Sequence, residues 1–280
     1  MVVQVITDST SDIPPGLAAS LGIRMVPIYV RFGEKTYRDG IDIRSGEFFS
    51  MLASSSFHPA TSQPNPEDFA GVYREYCDRN DGIVSIHISS KISGTFNSAN
   101  LACKTLKSPC RIEVIDSQFN SAGLGLVAMA AARTARAGAN LSEVVAETRR
   151  AISQTGMFGL FSTMKYLARS GRVSKTIAAA SRILNVMPLL TFKDGEILRA
   201  GLVRTINHGL ERIQDFVRHN APIRELTIVH SAAAGQAERL KANLAQFISA
   251  EKIVIAELGA GLGVHGGPGV LLVAVRREGN

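Results

Sequence analysis

One rhythm constrains this chain more than any other feature. Over the first 150 residues, short β-type runs alternate with stretches whose apolar residues recur at helical spacing. "VVQVI", "IRMVPIYVRF", "GIVSIHIS" and "RIEVIDS" read as strands. Between and after them, "PPGLAASLG", "SGEFFSMLASS", "PEDFAGVYREYCDRN", "SGTFNSANLACKTL" and the Ala-rich "GLGLVAMAAARTARAGA" read as helices. Strands separated by helices predict an α/β fold, a parallel sheet covered on both faces in three α/β/α layers. In such sheets ligands sit beyond the carboxyl ends of the strands.

The second half has a different pattern. A helix "SEVVAETRRAISQ" leads into the strand-like "TGMFGLFST". "MKYLARSGRVSKTIAAASRIL" reads as helix, interrupted or capped near Ser170-Gly171. "VMPLLTFKDGEILRAG" reads as a hairpin because Asp194-Gly195 lies between two β-type runs. A helix, the strand "ELTIVHS", another helix and the strands "KIVIAEL" and "GVLLVAVRR" follow. We expect two domains: residues 1–158, α/β with polar corners after its strands, and residues 159–280, a second α/β unit with a mixed sheet.

Charge narrows the partners. The net +7 arises entirely after residue 150, since residues 1–150 hold 15 basic and 15 acidic side chains. It is densest over 165–204, where Lys165, Arg169, Arg172, Lys175, Arg182, Lys193, Arg199 and Arg204 face only Asp194 and Glu196. Such a patch implies an acidic, phosphorylated or anionic partner. With 6% aromatic residues and no Trp, stacking platforms for bases are not evident, and nucleic acid is not the expected partner. The opening "VVQVI" lacks a basic leader and no apolar run is long enough to span a bilayer, so the expected location is cytoplasmic. Cys77, Cys103 and Cys110 show no C-x-x-C spacing, so neither a disulfide framework nor a zinc site is expected.

Three post-strand corners are rich in hydroxyls and amides: Asp8 to Asp12, Thr61-Ser62-Gln63-Pro64, and Ser89 to Ser98. Capping of the next helix would explain any one of them. The third goes further. Gly94 follows Ser93 and precedes Thr95, so backbone can come close to a ligand while the next helix offers unpaired N–H groups to an anion. Hydroxyls and amides without a fixed cation suit a carboxylate better than a triphosphate. Near the carboxyl end, "GLGVHGGPG" contains G-x-G-x-x-G, but a strand rather than a helix follows, so a dinucleotide fingerprint is rejected. It reads as a Gly-rich loop bringing His265 and bare backbone close to a ligand. Ser162 and Lys165 match S-x-x-K without the K-T-G that should accompany it. The absence of GxSxG, phosphate-loop and HExxH motifs argues against an autonomous hydrolase or ATPase, and no cofactor is expected. The small residues of 121–139 allow either close packing or a narrow apolar slot.

"TDSTSD", "TSQPNPEDF", "SSKISGTFNSA", "IDS", "SGRVSK", "PLLTFKDGEI", "VRT" and "GLGVHGGPG" occur in the order found in DegV-family proteins, the fatty-acid-binding subunits of bacterial fatty acid kinase. The sequence resembles that family essentially end to end, with "GRV" where the family has "GRI". The resemblance implies a two-domain carrier that encloses a long-chain fatty acid and is not itself an enzyme. Thr61, Ser62, Ser93, Gly94, Thr95 and His265 would hold the carboxyl group. Arg172 and Arg204 would lie where a separate ATP-dependent kinase subunit docks to form an acyl phosphate for phospholipid metabolism, with transient contact to an anionic membrane. Two rivals remain: a nucleic-acid-binding regulator using the basic patch, and a phosphotransferase with its own nucleotide site. Chain-length preference, kinase identity, oligomeric state and the segment that opens are not written in these motifs.

Overall fold

The computed structural model describes residues 3–77, 80–106, 110–173 and 186–279. Lys175, Arg182 and the helix expected after Gly171 lie outside the described residues, apart from Arg172 and Val173.

The first sheet is parallel and four-stranded. Strands β1 (Val3–Asp8), β2 (Arg24–Val26), β6 (Gly82–His87) and β7 (Ile112–Asp116) lie in the order β2-β1-β6-β7. All six residues of β6 are buried, as expected of a central parallel strand covered on both faces. Helices α1 (Pro15–Leu21), α3 (Pro66–Cys77) and α4 (Thr95–Thr105) alternate with these strands. Pro15 opens α1, where its missing N–H costs no helical bond, and Gly22 closes it in the left-handed conformation.

"IRMVPIYVRF" is not one strand. Pro27 has no N–H to give a ladder, and the run splits into β2 and β3 (Tyr29–Phe32). β3 leaves the first sheet and pairs antiparallel with β4 (Lys35–Arg38) and β5 (Ala60–Ser62), forming a small third sheet against α2 (Ser45–Ser54).

The other sheet is mixed and six-stranded. β8 (Thr155–Leu160), β9 (Met187–Lys193), β10 (Glu196–Val203), β11 (Ile223–His230), β12 (Ile253–Glu257) and β13 (Leu271–Arg277) take the order β10-β9-β8-β13-β11-β12. Asp194 and Gly195, both at positive φ, make the β9–β10 turn. Helices α8 (Ile206–His219) and α9 (Ala234–Leu244) bury their apolar faces on this sheet, in a core with Leu160, Leu189, Leu226 and Val273.

Between the two large sheets lies α5 (Ser121–Arg136), touching β1 and β6 on one side and β8, β11 and β13 on the other. A helix flanked by sheets on two faces has little solvent face, and Ser121 to Ala132 are all buried. Its Gly and Ala residues are there for close approach: a Cβ on Gly125 would come within 2.7 Å of the Ser11 carbonyl oxygen. α6 (Leu141–Gln154) follows, begun by a capping box between Asn140 and Glu143. The cysteine expectation needs correcting. Cys77, at the end of α3, forms a disulfide with Cys110, just before β7, because the sheet order brings those two points to one edge. Cys103 is free. Among the described residues no helix is long and apolar enough to cross a membrane.

Candidate head-group site and its cavity

The corner after β6 is pinned at both sides. The Ser90 N–H and hydroxyl donate to Asp116 Oδ2 at 3.1 and 2.6 Å, so the "IDS" run of β7 holds its neighbour's loop. The Ser89 N–H donates to the Phe119 carbonyl, and its hydroxyl donates across the molecule to the carbonyl of Gly195 at the β9–β10 turn, 2.7 Å away. With its base fixed, the loop presents Ser93, whose hydroxyl lies 2.9 Å from Thr95 Oγ1 and accepts from the Thr95 N–H at 3.2 Å. Beyond Thr95, the first-turn N–H groups of α4 at Phe96 and Asn97 are available to an anion. Gly94 has an ordinary φ of −77°, so its missing side chain concerns space: a Cβ would press on the Gln63 amide at 3.1 Å.

Thr61 comes from β5, the edge of the small sheet, and Ser62 and Gln63 follow it. His265 comes from the far end of the chain. The Gly-rich segment is not the loop expected: Ala260–Gly266 forms a short helix, α10, with His265 in its last turn and Gly267 (φ +72°) ending it. Its glycines permit packing rather than exposure, since a Cβ on Gly263 would meet Phe48 at 2.7 Å. His265 Nε2 and Thr61 Oγ1 lie 2.9 Å apart, a hydrogen bond between residues 204 positions apart. Burial, with the Arg172 and His58 charges behind it, pushes the imidazole down to about 4, so it is neutral at pH 7.

These groups face one cavity of about 360 Å³. Thr61, Ser62, Ser93, Gly94, Thr95, His265 and Arg172 all line it, and its remaining walls include Ile28, Ile92, Phe161, Leu190, Phe192 and Leu272. Arg204, at the exposed start of the turn into α8, does not line it. The Arg172 guanidinium donates to the Ser170 carbonyl at 2.5 Å, beside α7 (Lys165–Ser170). No residue of α5 lines the cavity, so close packing accounts for its small side chains, and only Asn120, just before it, touches the space. Gln63 and Asn97, which lie in the polar corners but were not among the residues expected to hold the carboxyl group, also line the cavity. No group of three or more His, Cys, Asp or Glu residues among the described ones could hold a metal ion.

The arrangement defines a class: an α/β protein of two large sheets and a small third one, with an internal, mostly apolar cavity that ends in uncharged hydroxyls, an imidazole and a helix N-terminus. The pattern described as "Uncharacterised protein, DegV family" matches residues 2–278, and the chain belongs to the DegV family. It is 33% identical over 269 residues to a DegV domain-containing protein of Caldanaerobacter subterraneus, covering 95% of each chain. A DegV domain-containing protein of Deinococcus radiodurans is 32% identical, with 98% of each chain covered. Among solved structures, a DegV family protein of Thermus thermophilus, described by its fatty acid binding, superposes with a TM-score of 0.91 at 34% identity, over 99% of this chain and 100% of that one. DegV of Bacillus subtilis, described as a fatty acid binding protein, does so with a TM-score of 0.89 at 27% identity, over 99% and 100%.

Proposed function

We propose that this protein carries a long-chain fatty acid, with the hydrocarbon in the cavity and the carboxylate on Thr61, Ser93, Thr95 and His265. The supporting observation is the contrast within one cavity: apolar walls and a polar end whose neutral donors come from three separate segments. Each methylene removed from water contributes about 0.8 kcal/mol, so an acyl chain binds tightly with few polar contacts. Ser62 and Gly94 complete the polar end. The fatty-acid binding described for the Thermus and Bacillus relatives supports the same reading.

The carrier presents its acid to a separate ATP-dependent kinase subunit, which forms the acyl phosphate. This chain supplies no catalytic residue and no cofactor. Arg172 at the cavity and Arg204 outside it face that subunit, and the neighbouring Lys165 and Arg169 add positive charge for brief contact with an anionic membrane. The carrier works in the cytoplasm.

Native mass spectrometry of the purified protein tests the first step. One long-chain fatty acid per chain is expected, and failure to retain or take up oleate or palmitate would overturn the reading. With the kinase subunit and ATP added, Thr61→Ala combined with Ser93→Ala should abolish acyl-phosphate formation while leaving the fold intact. Arg172→Ala should impair kinase coupling more than oleate binding, and equal loss of both would contradict a docking role.

A further inference from the structure

α10 carries His265, yet it is seven residues long and the residue at its N-cap is Gly259, which has no side chain to cap it. A helix this short is not held by its own hydrogen bonds. Its first-turn N–H groups go instead to two buried carboxylates from the other end of the chain. The Gly259 N–H donates to Asp12 Oδ1 at 2.8 Å, and the Ala260 N–H donates to Asp39 Oδ1 at 3.0 Å; the Gly261 N–H also donates to Asp39. Each carboxylate is tied on its other oxygen. The Ser9 hydroxyl donates to Asp39 Oδ2 at 2.8 Å, and the Ser121 hydroxyl donates to Asp12 Oδ2 at 2.5 Å. Ser9 is itself fixed, accepting from the Ile28 N–H at 3.1 Å. Asp12 is 8% exposed and Asp39 4%. Burying two such carboxyls 247 and 221 residues from their helix is costly unless the position they enforce matters.

We propose that Asp39, seconded by Asp12, is a positioning residue for the head-group site: its carboxylate clamps the first turn of α10 and so sets His265 Nε2 against Thr61. This rests on the fatty-acid reading for its consequence in binding, though not for its consequence in geometry. Gly261 belongs to the same device, because a Cβ there would overlap Ile28 and come within 3.0 Å of Asp39 Oδ2. The carboxylate can sit on the backbone only because nothing stands between them.

Asp39→Ala and Asp39→Asn should be compared by oleate titration and by the imidazole ¹⁵N resonances of His265 in ligand-free protein. Asp39→Ala is expected to weaken oleate by about tenfold, the value of one charge-assisted hydrogen bond, and to shift the His265 Nε2 signal as its bond to Thr61 is lost. Asp39→Asn keeps an oxygen for the Ala260 N–H and should recover most of both. A purely structural role would lower the melting temperature of Asp39→Ala while leaving the His265 signal of the folded fraction unmoved, and that result would overturn the proposal. If Asp39→Ala does not fold, Ser9→Ala, which unties Asp39 Oδ2 and leaves the Ile28 N–H without its acceptor while sparing Oδ1, should change both readouts in the same direction and to a smaller extent; no change in either overturns it. Wild-type protein that never binds oleate would count against the proposed function, whereas a wild type that binds beside an unaltered variant counts against Asp39 alone.

Discussion

Two helices rich in small residues, α5 and α10, sit in this protein for opposite reasons. α5 has sixteen residues, is packed between both large sheets and starts with no side-chain cap on its backbone N–H groups. α10 has seven, packs against α2 and α7, and borrows its cap from Asp12 and Asp39. The first is scaffold, and none of its residues lines the cavity. The second carries His265 of the proposed head-group site, held through Asp12 and Asp39 rather than through the main cores. A long helix is fixed by the area it buries, while a short one is fixed by whatever completes its ends.

The largest effect should come from cutting into the scaffold. Leu124 is fully buried on α5, and Leu124→Ala should cost about 2–5 kcal/mol of stability, read as a fall in the urea midpoint. Oleate stoichiometry in the folded protein should stay at one, and loss of binding without loss of stability would erase the distinction between the two helices.

Gly261→Ala attacks the short helix instead. The added methyl overlaps Ile28, and overpacking of this kind costs about 1–3 kcal/mol. Here oleate affinity should fall together with stability, and an unchanged affinity would show that α10 can shift without consequence for His265.

Acid titration sharpens the contrast with a smaller effect. His265 is held down to about 4 by burial first, so from its unfolded value near 6.5 to about 4 the unfolded chain binds a proton that the folded protein refuses. Stability from this group is present above 6.5 and is lost as pH falls through that window. Asp39, raised from 3.8 to about 6 by burial, runs the other way. The folded protein takes up its proton first, so stability is gained as pH falls from about 6 toward 3.8. Urea midpoints at pH 7 and 4.5 should therefore move in opposite senses: on acidification His265→Gln gains relative to wild type and Asp39→Asn loses. Variants that track wild type would place both groups outside the folding equilibrium.

What the sequence disclosed follows from the range of the interactions involved. The βα alternation, the Asp194-Gly195 turn and the Pro15 helix start are written in neighbouring residues, and each is found where its local chemistry put it. The polar corners were visible as hydroxyl clusters, but their partners were not. Capping was the ordinary reading of Asp8 to Asp12, and it describes Asp8, which accepts from the Thr10 N–H at 3.1 Å. Asp12 is a cap as well, for a helix 247 residues away, which no local pattern announces. α10 itself looked like a loop because glycine is a poor helix former; tertiary caps and close packing on Phe48 override that preference. Pro27 gave the one available sign that "IRMVPIYVRF" divides between two sheets, and the Cys77–Cys110 pairing depends on a sheet order that spacing alone does not encode.

The most direct test follows the acid end itself. Oleate labelled with ¹³C at its carboxyl carbon, added to delipidated protein, should give one saturable resonance displaced from that of free oleate. Thr61→Ala and His265→Gln should each shift it from its wild-type position, while Leu124→Ala leaves it in place. A carboxyl signal that is the same in wild type and in both head-group variants would contradict the claim that Thr61 and His265 hold a fatty acid's head.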